Sequence, residues 1–422
     1  MRIAIVGAGI SGLVAANELH GTNEIVVYEK NAHAGGHSET HQVPRVGRAG
    51  EVALDTGFIV FNERTYPLFT ALLARLGVRT QPSEMSFGVR CDRCGVEYSS
   101  RGLRGLFAKS AQMLSPSFYR MVVDIVRFNS WARRVGGSVG EQTLGELHRN
   151  HVFGDELFRH YLNPMASAIW SASGEEVQRM PIRFVFEFFR NHGLLQVYGH
   201  PPWRTVTGGS QNYVEALIRP FANRIRLGSP VRLIRRCLDR VEIKTDENDW
   251  ECFERVVIAT HSDQALALLE DADHREARAL RALPYRHNMV VLHTDRRLLP
   301  SAEAAEASWN YHVRDCRDER TPVQVTYALN RLQRLDEDVT YAVTLNPSDD
   351  DLLPEPSTVI ARMNYTHPVF TQQGLEAQRE LGLIGGERTH YCGAYLGNGF
   401  HEDGVRAGLA VARQVNESRA KV

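Results

Sequence analysis

The sequence predicts an α/β protein in which a Rossmann-like domain is interleaved with a second, α+β domain. Three observations carry this prediction. The chain starts with an apolar strand that runs into a Gly-x-Gly-x-x-Gly turn, a second strand ends in an acid, and the C-terminal tail reads strand, glycine loop and helix. With 422 residues, the chain has room for two or three domain-sized cores.

The first strand, "RIAIV", lacks polar alternation, as expected for a buried parallel strand. In the turn that follows, Gly7 permits the tight turn, Gly9 lets the backbone approach a pyrophosphate, and Gly12 packs the helix on the strand. The N-terminus of the helix "LVAANELH" then offers free N–H groups to phosphates. This arrangement predicts a dinucleotide site.

The second strand, "EIVVYE", ends at Glu29, whose carboxylate is expected to accept hydrogen bonds from ribose hydroxyls. The adjacent Gly35 and Gly36 suit a loop that crosses close to a diphosphate and ribityl chain, where a Cβ would clash. NAD needs no such second crossing, so the pair favours FAD. His37 follows as a phosphate donor whose charge can change with pH, and its alternative is a loop-packing histidine.

The C-terminal tail, "HYCGAYLGNGFHEDGVRAGLAVARQV", predicts a strand, a glycine loop and a helix. Gly404, Gly408 and Ala412 recur four apart, which predicts a small-residue face that packs closely on the sheet. Glu402 and Asp403 stand at the helix start, where the positive end of the helix dipole favours carboxylates. This end is expected to face the N1–C2=O edge of a flavin, and the alternative is an ordinary junction with capping acids.

Motifs along the whole chain, among them "GGHSET", "DTGFIVFNERTYP", "YLNPMASAIWS", "WRTVTGGSQNYV" and "GNGFHEDG", resemble one superfamily. It is that of the amine-oxidase-like FAD oxidoreductases, which includes protoporphyrinogen oxidase and phytoene desaturases. Within it, the chain resembles a bacterial group of predicted NAD/FAD-binding flavoproteins associated with cyclopropane, methyl-branched and furan fatty acid pathways. The resemblance implies non-covalent FAD and an interleaved substrate domain, as in amine oxidase and glutathione-reductase-type flavoproteins.

The resemblance also assigns cofactor-binding residues. They are Gly7, Gly9, Ser11, Gly12 and Glu29 for adenosine diphosphate, Gly36 and His37 in the second glycine step, Asp55, Thr56 and Gly57 in the loop passing the flavin, Val231 near adenine, and Gly393, Tyr395, His401, Glu402 and Asp403 in the flavin motif. No lysine stands where amine oxidases often place one near flavin N5, which argues against amine oxidation.

The organisation follows from these motifs. We predict a discontinuous FAD-binding domain from residues 1–64, 205–280 and 385–422, and a substrate-binding or cap domain from residues 65–204 and 281–384.

Three functions compete. The leading hypothesis is a dehydrogenase or desaturase that transfers hydride from a methyl-branched unsaturated fatty acyl substrate to flavin N5, with an apolar, aromatic tunnel. The alternatives are an amine oxidase and a non-catalytic flavin-binding partner of a lipid methyltransferase. His401 is the candidate proton acceptor or flavin hydrogen-bond donor. The candidate tunnel residues, each of which has a core-packing alternative, are Trp170, Phe186, Phe188, Phe189, Trp203, Trp309 and Tyr327.

Residues 101–134 hold seven basic side chains against one acidic side chain, Asp124. Apolar residues recur at helical spacing from Phe118 to Trp131, with Arg120, Arg127 and Arg134 on another face. Such a basic amphipathic helix is able to lie on anionic lipid. The favoured interpretation is a cap helix with its apolar face on the core, and peripheral membrane contact is the alternative.

Bulk properties exclude other classes. The net charge of −1 gives no field for nucleic acid, and no apolar run or leader suggests a membrane span or export, so we expect a cytoplasmic protein, with the inner membrane face as an alternative. Six cysteines are too few for a disulfide scaffold. Cys91 and Cys94 form a CxxC pair without a second pair at ligand spacing, so a hairpin turn is predicted there and no metal site.

Overall fold

The computed structural model describes residues 1–135, 140, 142–196, 199–247, 249–320, 324–347, 353–384 and 386–419. Its strands are β1 (Arg2–Val6), β2 (Glu24–Tyr28), β3 (Thr40–Pro44), β4 (Glu51–Asp55), β5 (Phe61–Asn62), β6 (Thr80–Pro82), β7 (Phe87–Cys91), β8 (Glu97–Ser99), β9 (Trp203–Val206), β10 (Ile225–Arg226), β11 (Val231–Arg236), β12 (Val241–Thr245), β13 (Glu251–Phe253), β14 (Arg255–Ile258), β15 (Tyr285–His293), β16 (Trp309–Val313), β17 (Gln324–Ala328), β18 (Ala342–Leu345), β19 (Val359–Pro368) and β20 (Thr389–Tyr391).

The α-helices are α1 (Ile10–Leu19), α2 (Pro67–Arg75), α3 (Gly102–Leu106), α4 (Pro116–Val135), α5 (Leu144–Arg149), α6 (Asp155–Leu157), α7 (Asn163–Trp170), α8 (Gly174–Arg179), α9 (Ile182–Asn191), α10 (Gln211–Ile218), α11 (Ser262–Leu268), α12 (His274–Arg281), α13 (Leu329–Leu332), α14 (Gln372–Leu381) and α15 (His401–Arg419). A π-helical turn, Phe158–Leu162, joins α6 to α7.

The predicted parallel sheet is present and has five strands in the order β10-β2-β1-β14-β20. Its strands pair in parallel throughout, with Ile5 opposite Val27 on one side and Val257 on the other. All five strands fall within the three segments predicted for the FAD-binding domain. The domain boundaries themselves stay a prediction, and the one at residue 385 lies outside the described residues.

The parallel sheet is buried on both faces, which explains its unbroken apolar strands. One face packs against α1, α10 and α15 through residues such as Ile5, Leu13 and Val411. The other face packs against the antiparallel sheet β11-β12-β13 and helices α11 and α12, through residues such as Val6 and Ile243. Each such aliphatic side chain contributes about 1.5–3 kcal/mol when it is fully buried. This packing fixes the carboxyl edge of the sheet, where Gly7 follows the last residue of β1.

A second sheet has seven strands in the order β19-β15-β18-β17-β16-β7-β8. Its pairs are antiparallel except for β16 with β7, which run parallel with Val313 opposite Cys91. The predicted hairpin around the CxxC pair is confirmed, since β7 and β8 pair with Val89 opposite Tyr98. Helices α4 to α9 form a separate core beside this sheet, built largely from aromatic side chains such as Phe128, Phe158 and Phe189.

Helix α4 confirms the cap-helix interpretation of the basic segment. Phe118, Met121 and Phe128 are buried, and Ile125 and Trp131 pack partly buried against the same cores, so the apolar stripe faces inward. Because this apolar stripe packs on the protein core, the stripe itself does not face a membrane. Different apolar residues, Tyr119, Val123 and Val126, are about half exposed on the opposite face of the helix.

Within the described residues, no helix combines the length and the apolar character needed to cross a membrane.

Candidate functional site

The turn after β1 adopts the geometry that a pyrophosphate site requires. Gly7 has a φ of +107°, and a Cβ on Gly12 would lie 2.0 Å from the carbonyl oxygen of Gly7, so neither position accepts a side chain. A Cβ on Gly9 would meet nothing within 4 Å. Gly9 precedes α1, and no side chain caps the first turn of this helix. Open space therefore lies in front of Gly9 and of the free N–H groups, as a diphosphate needs.

Glu29, which was predicted to bind the adenosine ribose, is buried directly after β2. Its Oε2 accepts a hydrogen bond from the backbone N–H of Ala8 and its Oε1 accepts one from Asn31, both at 2.9 Å. The N–H of Ser229 donates to the Glu29 carbonyl at 2.8 Å, and the buried Ser229 hydroxyl has no partner. Val231 begins β11 two residues later. The unpartnered Ser229 hydroxyl, which the sequence analysis missed, fits a site that a nucleoside completes.

The second glycine pair packs directly on the first glycine turn. Gly35 has a φ of +129° and Gly36 a φ of +60°, values that favour glycine. The N–H of Gly35 donates to Ala8 at 2.8 Å, and a Cβ on Gly36 would lie 3.2 Å from the Cα of Gly9. The pair therefore keeps two backbone loops in contact at the diphosphate end, a role beyond the one inferred from sequence.

His37 lies in a group of aromatic side chains that the sequence did not connect. Its ring centroid lies 4.9 Å from Tyr365, 5.4 Å from His367 and 6.2 Å from His261. Burial lowers the pKa of His37, and burial followed by the nearby His37 lowers the pKa of His261 and of His367 to about 3. The three rings are therefore neutral at physiological pH. The buried Nε2 of His37 has no hydrogen-bond partner, which leaves it free for a ligand.

The loop of Asp55, Thr56 and Gly57 supports the His37 segment. A Cβ on Gly57 would lie 2.2 Å from the His37 carbonyl oxygen, so the two loops are in direct contact there. The Thr56 hydroxyl pairs with the Tyr365 hydroxyl at 2.9 Å. Gly57 and Thr56 thus lie beside the histidine group, consistent with a loop that passes the cofactor.

Asp55 is fully buried and has protein partners for both carboxylate oxygens. Oδ1 accepts from Thr40 Oγ1 at 2.6 Å and from the N–H and Oγ of Ser210, and Oδ2 accepts from Gln333 at 3.2 Å. Burial raises the pKa of this carboxyl to about 6, against the hydrogen bonds that lower it. Direct binding of a cofactor by Asp55 stays a prediction, because its oxygens hold the start of α10 in place.

The segment from Gly393 to His401, which was predicted to face the flavin, runs from the parallel sheet into α15. A Cβ on Gly393 would clash with the Tyr395 ring at 2.3 Å. Tyr395 is buried and its hydroxyl has no partner, while burial raises the pKa of this phenol well above its ordinary value. A buried hydroxyl that stays protonated and has no partner is able to donate a hydrogen bond to a ligand.

His401 begins α15 and contacts three other elements. Its Nε2 lies 2.9 Å from Ser38 Oγ and 3.0 Å from the Tyr213 hydroxyl. Its ring stacks on Phe58 with centroids 3.6 Å apart. Burial, followed by His37, lowers its pKa to about 3, so the imidazole is neutral. The sequence named His401 without these partners, which come from three distant segments.

Glu402 and Asp403 are used by the protein itself. Glu402 accepts hydrogen bonds from the N–H groups of Leu68 and Phe69 at 3.1 and 3.0 Å, which caps α2. Asp403 Oδ2 accepts from Asn398 and Phe400, and its Oδ1 accepts from Arg406 at 2.7 Å. The contacts of Asp403 match the capping alternative, because they hold N–H groups directly before α15, whereas Glu402 caps α2 and not its own helix. Their contact with a cofactor stays a prediction.

The small-residue face of α15 packs on α1, and its predicted packing on the sheet is wrong. A Cβ on Gly404 would lie 2.6 Å from Ile10 Cγ2, and one on Gly408 would lie 2.6 Å from the carbonyl oxygen of Ser11. Ser11, predicted as a diphosphate contact, is buried at this helix contact. The close approach brings the N-termini of α1 and α15 to one region, where a diphosphate and a flavin of one FAD would each meet a helix start.

The aromatic candidates fall into two groups. Trp170 belongs to the helical core, where it lies 4.9 Å from Phe188. Trp309 and Tyr327 meet edge to face at 5.2 Å on the second sheet, and Trp203 packs against the same core.

The structure also shows what connects these aromatic residues to His401. Phe400, the residue before His401, stacks on Phe188 at 5.0 Å, and Phe188 stacks on His192 at 3.8 Å. His192 in turn lies 6.4 Å from Trp203. Phe400 and His192 were not predicted from the sequence, although Phe400 stands in the quoted "GNGFHEDG" motif. Phe186 and Phe189 are core residues of the helical region.

Comparisons with known proteins point to one family. Residues 10–416 match the family model described as flavin containing amine oxidoreductase. The chain is 27% identical over 260 residues to the "Putative flavin-containing monoamine oxidase AofH" of Mycobacterium tuberculosis, a match that covers 59% of this chain and 54% of that protein. The match thus spans about half the length of this relative.

Solved structures share the fold. Cyclohexylamine oxidase from Brevibacterium oxydans IH-35A superposes with a TM-score of 0.70 at 15% identity and 99% coverage of both chains. Wild-type putrescine oxidase bound to putrescine gives 0.70 at 14% identity and 99% coverage of both chains. A fatty acid isomerase from P. acnes that produces CLA gives 0.64 at 16% identity and 98% coverage of both. At these identities the likeness establishes the fold alone.

Proposed function

Since the chain belongs to the flavin-containing amine oxidoreductases and is thereby an FAD-dependent oxidoreductase, we propose that it dehydrogenates a lipid-like, methyl-branched unsaturated fatty acyl substrate. The single observation that carries the proposal is the aromatic group that leads from His401 into the helical cap. The substrate class is an inference from this apolar surface and from the sequence resemblance.

The aromatic group is continuous from the flavin end to the cap. Phe400 follows the glycine loop and packs against both the cofactor-domain core and the helical core. From Phe400, ring contacts of 5.0 Å or less lead through Phe188 to Trp170 and His192. Such a surface suits an apolar chain, because it excludes water and offers dispersion contacts with few polar groups.

The charges around this group also favour an acyl substrate. Glu402 and Asp403 already accept backbone or arginine hydrogen bonds, so a protonated amine would have to compete for them. His192 is buried, and burial, together with the cation of Arg64, lowers its pKa to about 4. Arg64 is exposed and has no ion pair with any described residue. It is therefore our candidate for contact with the carboxylate end of a fatty acyl substrate.

FAD, when bound, supplies the hydride acceptor. The chain itself then has to orient a C–H bond, exclude water and hold donors near the developing charge. Phe188 and Phe400 serve the first two tasks. Neutral His401 serves the third through its Nδ1, which has no hydrogen-bond partner among the described residues, while Ser38 and Tyr213 hold its Nε2. A C–H beside an alkene is a better donor than an isolated CH₂, so an unsaturated chain suits this site.

The competing candidate is oxidation of an amine. It is favoured by the family match and by the names of the similar proteins AofH, cyclohexylamine oxidase and putrescine oxidase. The fatty acid isomerase with the same fold shows that this fold is also found among proteins named for fatty acids.

The test is anaerobic reduction of the bound flavin. Extracted bacterial lipids and defined methyl-branched unsaturated acids are compared with a panel of amines, and the lipid fraction is analysed by mass spectrometry. We expect the acids to bleach the flavin and to lose two hydrogens per flavin reduced. Bleaching by amines with release of ammonia would overturn the substrate class. A flavin that no compound reduces would instead favour the non-catalytic alternative.

We also propose that the outer surface of the cap contacts anionic lipid. The exposed apolar residues there are Leu103, Met113, Leu114, Tyr119, Val123 and Val126. Exposed Arg104, Arg120 and Arg134 lie on the same helical segments and form no ion pair with a described residue. Apolar side chains flanked by free cations suit a negatively charged bilayer surface, where each cation contributes about 1 kcal/mol.

This surface is tested by sedimentation with anionic vesicles at low salt. Replacing Tyr119, Val123 and Val126 together by Ser should reduce binding, whereas Leu238→Ser, at a fully exposed apolar residue elsewhere, should not. Equal sedimentation of both variants would show that Tyr119, Val123 and Val126 do not contact the lipid.

A further inference from the structure

Four side chains from three distant segments converge at the edge of the second sheet. Cys91 is the last residue of β7 and Cys94 lies in the turn after it, His160 lies in the π-helical turn, and Cys316 follows β16. Their Sγ and imidazole nitrogen atoms all lie within 4.8 Å of one another. Cys91 and His160 are buried, whereas Cys94 is exposed. We propose that these residues form a closed, structural zinc site that nothing in the FAD chemistry requires.

The distances suit a tetrahedral ion. Bond lengths of about 2.3 Å to sulfur and about 2.0–2.1 Å to nitrogen place tetrahedral ligands about 3.5–3.8 Å apart. Cys94 Sγ and His160 Nε2 are 3.5 Å apart. Three thiolates and one imidazole select zinc over the hard ions Mg²⁺ and Ca²⁺, and four protein ligands leave no open position for a substrate. An iron–sulfur cluster would spread its thiolates over several iron atoms.

The surrounding backbone holds the ligands independently of a metal. The N–H groups of Asp92 and Arg93 donate to the carbonyls of Val313 and Arg314 at 3.1 and 2.9 Å, which fixes the CxxC turn beside the chain that leads to Cys316. Gly95, with a φ of +71°, allows the chain to turn back into β8.

His160 is positioned by a helical irregularity. It lies in a π-helical turn, a rare conformation that is common at functional sites. The Tyr98 hydroxyl donates to the His160 carbonyl at 2.8 Å, which ties this turn to β8.

The polar environment of His160 is compatible with metal binding. Its Nε2 also lies 3.1 Å from Glu156 Oε2, and the Glu156 side chain is 37% exposed. This carboxylate is free to turn to solvent when Nε2 binds a metal. In the metal-bound state the cysteines are thiolates and His160 is a neutral imidazole, and the protons that these groups give up pass to solvent.

The consequence is mechanical. The CxxC turn and Cys316 belong to the second sheet, whereas His160 belongs to the chain between α6 and α7, the helix that ends at Trp170. An ion held by all four would lock the helical cap onto the sheet. It would stabilise the cap without contacting FAD or substrate.

The first experiment measures metal in untagged, full-length protein by plasma mass spectrometry. We expect about one zinc per chain, retained through gel filtration. Cys94→Ser and Cys316→Ser should each retain at least ten-fold less zinc. Cys252→Ser, at an exposed cysteine in β13, is the matched control and should retain the full amount. Bound FAD, read from its visible absorbance, reports whether each variant has folded.

The second experiment avoids substitution. A strong chelator should remove zinc from the parent, expose three additional thiols to a thiol reagent and lower the thermal midpoint by several degrees, while FAD remains bound. Parent protein that is free of zinc after purification and after incubation with zinc would overturn the proposal. So would a disulfide between two of the three cysteines, iron in place of zinc, or full zinc retention in Cys94→Ser and Cys316→Ser.

Discussion

The cofactor end and the cap end of this molecule are built in different ways. The cofactor end depends on backbone: Gly7, Gly12 and Gly36 occupy positions where a Cβ would clash or where φ is positive. The cap end depends on side chains from distant segments, such as the stack of Phe188 on Phe400. Short sequence motifs determine the backbone geometry of the cofactor end, whereas contacts between aromatic rings from distant segments appear only in the tertiary structure.

This difference explains what the sequence could and could not predict. The parallel sheet, the glycine turns and Glu29 follow from local pattern, because each acts within one strand–turn–helix unit. His261, His367 and Ser229 were missed, since isolated histidines and serines carry no motif. A metal site at Cys91 and Cys94 was predicted to be absent for a related reason: the two side chains that join them, His160 and Cys316, are far along the chain from the CxxC pair.

The partner of α15 shows a second limit. The spacing of Gly404 and Gly408 predicted the small-residue face correctly. The same spacing does not identify the element that packs against this face. The partner is α1, because β14 and β20 place the last helix beside the first one. Periodicity predicts a face, and topology decides its neighbour.

The largest expected effect is at Gly9. Gly9→Val places a branched side chain in open space at an ordinary φ of −76°, so the fold should persist while the diphosphate is blocked. We expect at least 100-fold weaker FAD binding, measured by flavin absorbance of the purified protein and by titration. Gly21→Val, also in open space but at the far end of α1, is the control. Full flavin occupancy in Gly9→Val would break the assignment of the cofactor end.

The second largest effect is expected from low pH, which should lower the free energy of unfolding through the buried histidines of the cofactor end. His261, His367 and His401 have folded-state pKa values of about 3, below the unfolded value of about 6.5. Between these values the unfolded chain binds more protons, so stability falls as pH falls from 6.5 towards 3. Each histidine should lower the free energy of unfolding by about 1.6 kcal/mol between pH 6.5 and pH 5.0.

The check is the free energy of unfolding in urea across this pH range. His367→Asn should flatten the slope by about one proton, since its uncharged amide has nothing to titrate. His274→Asn, at an exposed histidine at the start of α12, is the matched control. Identical slopes for His367→Asn and the parent would show that His367 is not held neutral.

A smaller effect is expected at His401. A neutral donor beside the flavin should favour the reduced form, so His401→Ala should slow flavin reduction about ten-fold, which corresponds to about 1.4 kcal/mol, and lower the flavin potential. FAD should stay bound, because the glycine turns are untouched. Stopped-flow reduction and a dye-coupled potential measure both quantities. An unchanged reduction rate and an unchanged flavin potential would show that His401 only packs against Phe58.

The smallest effect is expected at the cap. Phe188→Leu keeps an apolar side chain but removes the stacks with Phe400 and His192, so the KM for an acyl substrate should rise about five-fold with little change in bound flavin. Phe186→Leu is the matched control on the same helix, since Phe186 packs against Phe128 and Trp131 instead. Equal KM values for the two variants would separate Phe188 from substrate binding.

The most direct measurement is a crystal structure of the protein with FAD and a saturated methyl-branched fatty acid, which cannot react. We expect the diphosphate at Gly9 and the start of α1, the flavin ring beside His401, and the acyl chain along Phe188 and Phe400. A flavin ring away from His401, or an acyl chain that avoids this aromatic group, would contradict this expectation.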